Sequence, residues 1–252
     1  MHQSNKIEYQ KIKQILQLNE QDDFTLLKQI SDTDLKNLRI RISEIIDLEQ
    51  VDIWPRIGKV ASFMPNFLNA KVAETILGPM IAANLANHVP IKDAVAILKN
   101  LSTTFLSEVA GYMIPEKSVK LIDNIPIDIL KKVTISLVEQ KKYFVASNFV
   151  NALPIQRIIT LSEVIYNELD LILIAELVEN KAHIAKIIEQ FNDNRTLEII
   201  KTAYSNDKQE VILAVFVHLS KSELNRIIKL LDKLPESVRQ QIIEDFKNRI
   251  HE

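Results

Sequence analysis

Apolar residues fall at helical spacing along almost the whole chain, with little of the sustained alternation that a half-buried strand requires. Ile12, Ile15 and Leu16 mark one face of a first helix, and Phe24, Leu26, Leu27 and Ile30 mark a second. Ser31-Asp32-Thr33-Asp34 supplies capping side chains for a helix over 35–48. Three stretches, 144–153, 169–178 and 211–219, are apolar nearly all round. Such helices are buried on most sides, so these belong at the centre of the fold, with Asn148, Asn151 and His218 near their ends.

A phrase recurs between the helices: an apolar residue, a Pro or small polar residue, three mostly polar residues, then apolar ones. Val89-Pro90 precedes Ala94-Val95, and Leu101-Ser102 precedes Leu106. Ile114-Pro115 precedes Val119 and Leu121-Ile122, while Leu234-Pro235 precedes Val238 and Ile242-Ile243. Pro is tolerated in a first helical turn because its missing N–H would have no partner there, and Ser or Asn caps the same position. The apolar residue just before packs on the first inward residue of the new helix and fixes its starting angle. Repeating the phrase repeats the angle, which stacks helices regularly. A 66-residue shift aligns 115–154 with 181–220 without a gap, pairing Leu121-Ile122 with Ile187-Ile188, Val145 with Val211 and Leu153-Pro154 with Leu219-Ser220. Each copy, about 40 residues, reads as a short helix and then a longer helical stretch interrupted near Lys141-Lys142 or Asn206-Asp207, a size typical of helical repeats.

The run Ile114-Pro115-Glu116-Lys117-Ser118-Val119-Lys120-Leu121-Ile122-Asp123-Asn124-Ile125-Pro126, echoed by Leu234-Pro235-Glu236-Ser237-Val238, resembles the repeat in the superhelical N-terminal domain of MgtE-type magnesium transporters. HEAT-like repeats and the FliG flagellar switch protein have a related look. The resemblance implies a helical stack; no magnesium site and no metal residue is carried over with it.

Composition narrows the function more than it names it. The 252 residues are 47% hydrophobic and 25% charged with a net charge of −2, which gives no global pull toward nucleic acid or an anionic membrane. Three glycines leave no glycine-rich phosphate loop, and the lack of cysteine excludes disulfides, thiolate metal sites and cysteine nucleophiles. The polar start of the chain has no signal-peptide apolar region, and the uncharged stretches are too short to span a bilayer, which suggests a cytoplasmic protein. The isolated histidines His88, His183 and His218 lack metal-ligand spacing. Lys117, Lys120, Lys131, Lys132, Lys141 and Lys142 crowd one repeat, and Glu163, Glu168, Asp170, Glu176 and Glu179 crowd the next; both groups read as solvated faces.

The segment from Trp54 to Pro90 departs from the rest. It holds the only Trp, two of the three Gly and four of the eight Pro, and between Ile57 and Val89 its only charges are Lys59, Lys71 and Glu74. It reads either as the packed middle of the fold, with Gly58 and Gly78 permitting close helix approach, or as an apolar ligand pocket, a membrane-touching surface or an interface. Trp54, Phe63, Phe67, Met80 and Ile81, with Asn84 and His88 as a polar rim, are the candidate residues.

The expectation is an all-α protein of ten to thirteen helices: an irregular α-solenoid, HEAT-like or superhelical, of antiparallel helices. It forms a single domain over 1–252, with N-terminal helices over 1–50, an irregular apolar segment over 51–90 and helical repeats over 91–252. The expected function is a non-enzymatic interaction scaffold without a cofactor, binding a protein partner or itself, with no nucleic acid and no integral membrane segment. The alternative is a binder or carrier of an apolar small molecule or lipid through Trp54–Pro90.

Overall fold

The computed structural model describes residues 8–13, 16, 27, 29–48, 54–61, 63–234 and 236–251. Every regular element among them is helical. Residues 8–13 are helical, followed by α1 (Asp32–Leu48), α2 (Trp54–Ala61), α3 (Asn66–Val72), a π-helical turn (Ala73–Leu77), α4 (Gly78–Ala86), α5 (Ile91–Leu98), α6 (Thr103–Tyr112), α7 (Pro115–Asn124) and α8 (Ile127–Glu139). Then come α9 (Tyr143–Val150), α10 (Ile155–Ser162), α11 (Glu168–Leu177), α12 (Lys181–Ile188), α13 (Asp193–Ser205), α14 (Gln209–Phe216), α15 (Lys221–Leu231) and α16 (Glu236–His251). This exceeds the expected ten to thirteen because the recurring phrase ends one short helix and starts another nearly every time it occurs. No helix among the described residues is long and apolar enough to cross a membrane.

The phrase works locally as its chemistry requires. Ser31, Ser102, Asn180, Asn192 and Ser220 each accept a hydrogen bond, through a side-chain oxygen, from the backbone N–H three residues on. Pro65, Pro90 and Pro154 occupy the same preceding position with φ near −55°. Of the apolar residues that precede such positions, Val89, Ile125, Leu153, Leu219 and Leu234 are buried, and Met64, Leu101 and Phe191 are partly buried. One detail differs: in α7 the inward residues are Ser118, Leu121, Ile122 and Ile125, while Val119 is exposed. A helix beginning at Pro115 turns i, i+3, i+4 and i+7 from Ser118 inward, and Val119 falls one position off that stripe.

The chain divides into two compact units, Met1–Leu137 and Val138–Glu252. In the first, α2 packs on α4, α3 on α5, α4 on α6 and α5 on α7. In the second, α9 packs on α11, α10 on α12, α11 on α13, α12 on α14, α13 on α15 and α14 on α16. Many of the helices thus meet the second one along, and α14 also packs on α11 and α13. Polar clamps link helices as well: the Ser136 hydroxyl donates to that of Ser107 between α8 and α6, Arg195 of α13 donates to the carbonyls of Ser162 and Ile165 at and after the end of α10, and Arg226 of α15 bridges Glu223 and, on α13, Asp193.

The 66-residue correspondence has a counterpart in the elements. Helix α8 starts at 127 and α13 at 193, and α9 spans 143–150 while α14 spans 209–216. Lys141 and Asp207, in the turns between them, are the non-glycine residues with positive φ among those described, at 55° and 56°. The stretches read as apolar all round are largely enclosed: α11 has no exposed residue, and Val211, Ile212, Leu213, Val215 and Phe216 of α14 are buried. Asn151 and His218 lie exposed just beyond their helices.

The two glycines of the apolar segment act differently. A β-carbon on Gly58 would lie 2.6 Å from the His88 carbonyl oxygen, so α2 approaches the turn after α4 closely. Gly78 has nothing within 4 Å of such a carbon; close approach is not its role. Its φ of 75° with ψ of 170° lies in a region essentially reserved for glycine, and it breaks the helical run so that α4 folds back on the π turn.

Candidate functional site

The apolar segment builds a cavity of about 200 Å³ within the first unit. Ile57 and Ala61 of α2, Met64 of the turn, Asn69 and Val72 of α3, and Ala73 and Leu77 of the π turn form one side. Ala82, Leu85 and Ala86 of α4, Val89, Ala94, Ile97 and Leu98 of α5, Leu101, and Val109 of α6 complete it. Its base adjoins a packed cluster of Ala73, Ala83, Phe105 and Val109. The void has a simple cause: five alanines, Ala61, Ala73, Ala82, Ala86 and Ala94, line it with side chains too small to fill the space between their helices.

No charged side chain lines the cavity, and Asn69 is its one polar residue. The Asn69 amide donates to the carbonyls of Ala61 at 2.7 Å and Met64 at 3.1 Å, holding the turn between α2 and α3. Glu74, on the outer side, accepts from the Ser102 N–H at 2.6 Å; that bond holds its carboxyl below the usual range and fastens the π turn to the start of α6.

The sequence-proposed residues lie around this cavity rather than in its wall. Trp54 opens α2, and its side chain lies outside the described residues. Phe63 is 89% exposed in the turn before α3, Phe67 is 60% exposed on α3, and Met80 is exposed on α4. Ile81 and Asn84 are half-buried on α4, and the His88 side chain is exposed while its carbonyl abuts Gly58. Among the described residues the segment therefore divides its apolar side chains between an inward set that lines the void and an outward set open to solvent. Asn66, Asn69, Asn84 and Asn87 stand out in the sequence as polar residues of the apolar segment, and Asn69 is the one that lines the cavity; the alanines escaped sequence reading, and the signal that would have found them is small residues on an inward helical face.

Of the other groups with displaced acidity, Glu8 of the first unit, which burial pushes up, is held below the usual carboxylate range by Arg39 and Lys11, and the rest are in the second unit and act separately. Burial pushes the Lys181 ammonium down to about 8, with Glu176 opposing, and its Nζ donates to the carbonyls of Ala175, Glu176 and Val178 at the end of α11. The hydrogen bond to Asp170 at 2.7 Å, aided by burial, raises the Tyr143 hydroxyl to about 12. Burial raises Glu168, which Arg195 opposes at 3.4 Å, and burial followed by Lys186 lowers His183, which bonds the Val150 backbone. Glu176 accepts from Lys208 at 2.8 Å. Three members of the acidic run thus act as internal struts, and no group of His, Asp and Glu able to hold a metal is found among the described residues. A second apolar void in this unit, of about 80 Å³, is smaller.

No protein-family model, curated protein or solved structure matches the chain.

Proposed function

We propose that this chain is a non-enzymatic binding protein, an irregular α-solenoid of HEAT-like hairpins that takes an apolar small molecule, or the apolar end of a lipid, into the cavity between α2 and α6. The observation that carries this reading is a void of about 200 Å³ whose single polar lining residue is already bonded to backbone carbonyls. Voids of roughly 150 Å³ lined by aliphatic side chains stay dry and accept benzene or xenon, because a guest restores the dispersion contacts that the lining lacks. The ligand class follows from the wall: uncharged, with no hydrogen-bonding group on the buried end. Support for the stacked-hairpin part comes from ten pairs among the described residues in which a helix packs on the second one along, four in the first unit and six in the second, and from the 66-residue recurrence of element starts.

A second reading, a scaffold that binds a protein partner or a further copy of the chain, is favoured by the same stacking, since such stacks offer long surfaces. Thermal melting with benzene separates the two. A guest that binds only the folded state raises Tm by mass action. Wild type and the enlarged-cavity variant Leu98→Ala should respond, and the cavity-filling variant Ala82→Leu should not. An equal response from Ala82→Leu, or none from wild type or Leu98→Ala, would reject the cavity reading and leave the scaffold.

A further inference from the structure

A second feature of the same unit is independent of the cavity. Phe63 (89% exposed), Phe67, Leu68 and Ile76 (74% exposed) stand outward from the turn before α3, from α3 and from the π turn, with Met80 following on α4. Single exposed apolar residues need no explanation, but several large ones along one short stretch do. The charge of this stretch of the chain is one-sided. Residues 54–102 carry five cations, Arg56, Lys59, Lys71, Lys92 and Lys99, against two acids, Glu74 and Asp93, in a chain whose net charge is −2. All five cations are exposed, and Glu74 is bonded to the Ser102 N–H. Lys71 follows Phe67 by one helical turn, which puts ammonium and ring on one face of α3.

We infer that this face docks on the surface of an anionic lipid bilayer. The shape and the charge both favour a membrane over a protein partner. The most exposed of these side chains, Phe63 and Ile76, sit in a turn and in the π turn just before the break at Gly78, and neither lines the cavity. Protruding rings and aliphatic chains insert into the fluid headgroup–acyl boundary without a complementary pocket, and lysines beside them are drawn to anionic headgroups. The anchor is peripheral: no helix of the described residues is long and apolar enough to cross.

Co-sedimentation of the full chain with phosphatidylcholine–phosphatidylserine vesicles, against vesicles of phosphatidylcholine alone, tests the inference. Binding is expected to the anionic vesicles and to weaken with salt. Lys59→Gln with Lys71→Gln should lower the affinity about thirtyfold, each cation near the surface contributing about a factor of five. Phe63→Ser with Phe67→Ser should abolish it, with unchanged helicity and Tm because both rings are exposed. No binding to either vesicle, equal binding to both, or a salt-insensitive self-association removed by Phe67→Ser in its place would overturn the inference. Failure of the cavity to take benzene would leave this test unaffected.

Discussion

Gly58→Ala isolates the contact that sets the position of α2. At a solvent-facing site inside a helix the change would stabilise by about 1 kcal/mol, because alanine is the better helix former. At Gly58 the added carbon would sit 2.6 Å from the His88 carbonyl oxygen and 3.2 Å from its carbon, and ordinary contact begins near 3.4 Å. The obstacle is backbone, not a flexible side-chain tip, so α2 and the turn after α4 must separate by about 0.8 Å. Val89, the next residue, is buried and lines the cavity with Ile57 and Ala61 of α2, so the separation disturbs packing on both walls. Overpacking costs about 1–3 kcal/mol, and because the obstacle is backbone the upper part of that range, about 2–3 kcal/mol, applies; against the propensity gain of about 1 kcal/mol this leaves a net loss of about 1–2 kcal/mol. Urea unfolding followed by far-UV circular dichroism measures it. Gly78→Ala serves as contrast: no atom is in the way, and its cost of about 1–3 kcal/mol comes from the backbone region alone. A Gly58→Ala protein as stable as wild type or more so would refute the close approach and with it the geometry of the cavity wall.

The remaining predictions concern polar groups at helix ends, on buried helix faces and between helices. Ser102→Ala removes the cap of α6 and should destabilise by about 1 kcal/mol in the same unfolding assay. Ser118 is buried with no hydrogen-bond partner for its hydroxyl among the described residues, and the 66-residue shift places Ile184 opposite it; Ser118→Ala should therefore raise stability by up to about 1 kcal/mol. Arg226→Ala leaves the buried Glu223 carboxylate without its bridge to α13 and should cost about 2 kcal/mol, less than for a fully enclosed pair because Arg226 is partly solvated; Arg226→Lys should restore only part, since one ammonium cannot span both acids. His183, lowered by burial, is neutral in the fold at neutral pH. As pH falls below the ordinary histidine range, the unfolded chain takes up a proton that the fold resists, so stability falls with it. His183→Leu should flatten that acid limb of the Tm–pH curve.

Helix content and most helix starts were legible in the sequence because they depend on local chemistry. Ser102, Asn180, Asn192 and Ser220 carry the caps, and Leu153 and Leu219 carry the buried staples, all within a few residues of one another. The interruption at Lys141-Lys142 and Asn206-Asp207 was visible for the same reason, and the backbone there turns to positive φ in both copies. What escaped depends on contacts between distant residues. The alanines at 73, 82, 86 and 94 look like ordinary helix formers until their helices face one another and leave a void. Hydrophobicity alone did not tell which way Phe63, Phe67 and Met80 would point, because the turn at 63–65 and the break at Gly78 determine it. The acidic run looked like a solvated face, yet Glu168, Asp170 and Glu176 each meet a partner some 27–32 residues away.

The central claim is that the cavity between α2 and α6 is a binding site and not a packing defect. A ¹³C-methyl NMR titration with benzene tests it most directly, since the wall is almost entirely methyl-bearing. The account predicts saturable shifts concentrated on Val72, Leu85, Val89, Leu98 and Val109, and their loss in Ala82→Leu. Shifts confined to exposed residues such as Leu68 and Ile76, or no saturable shift at all, would contradict it.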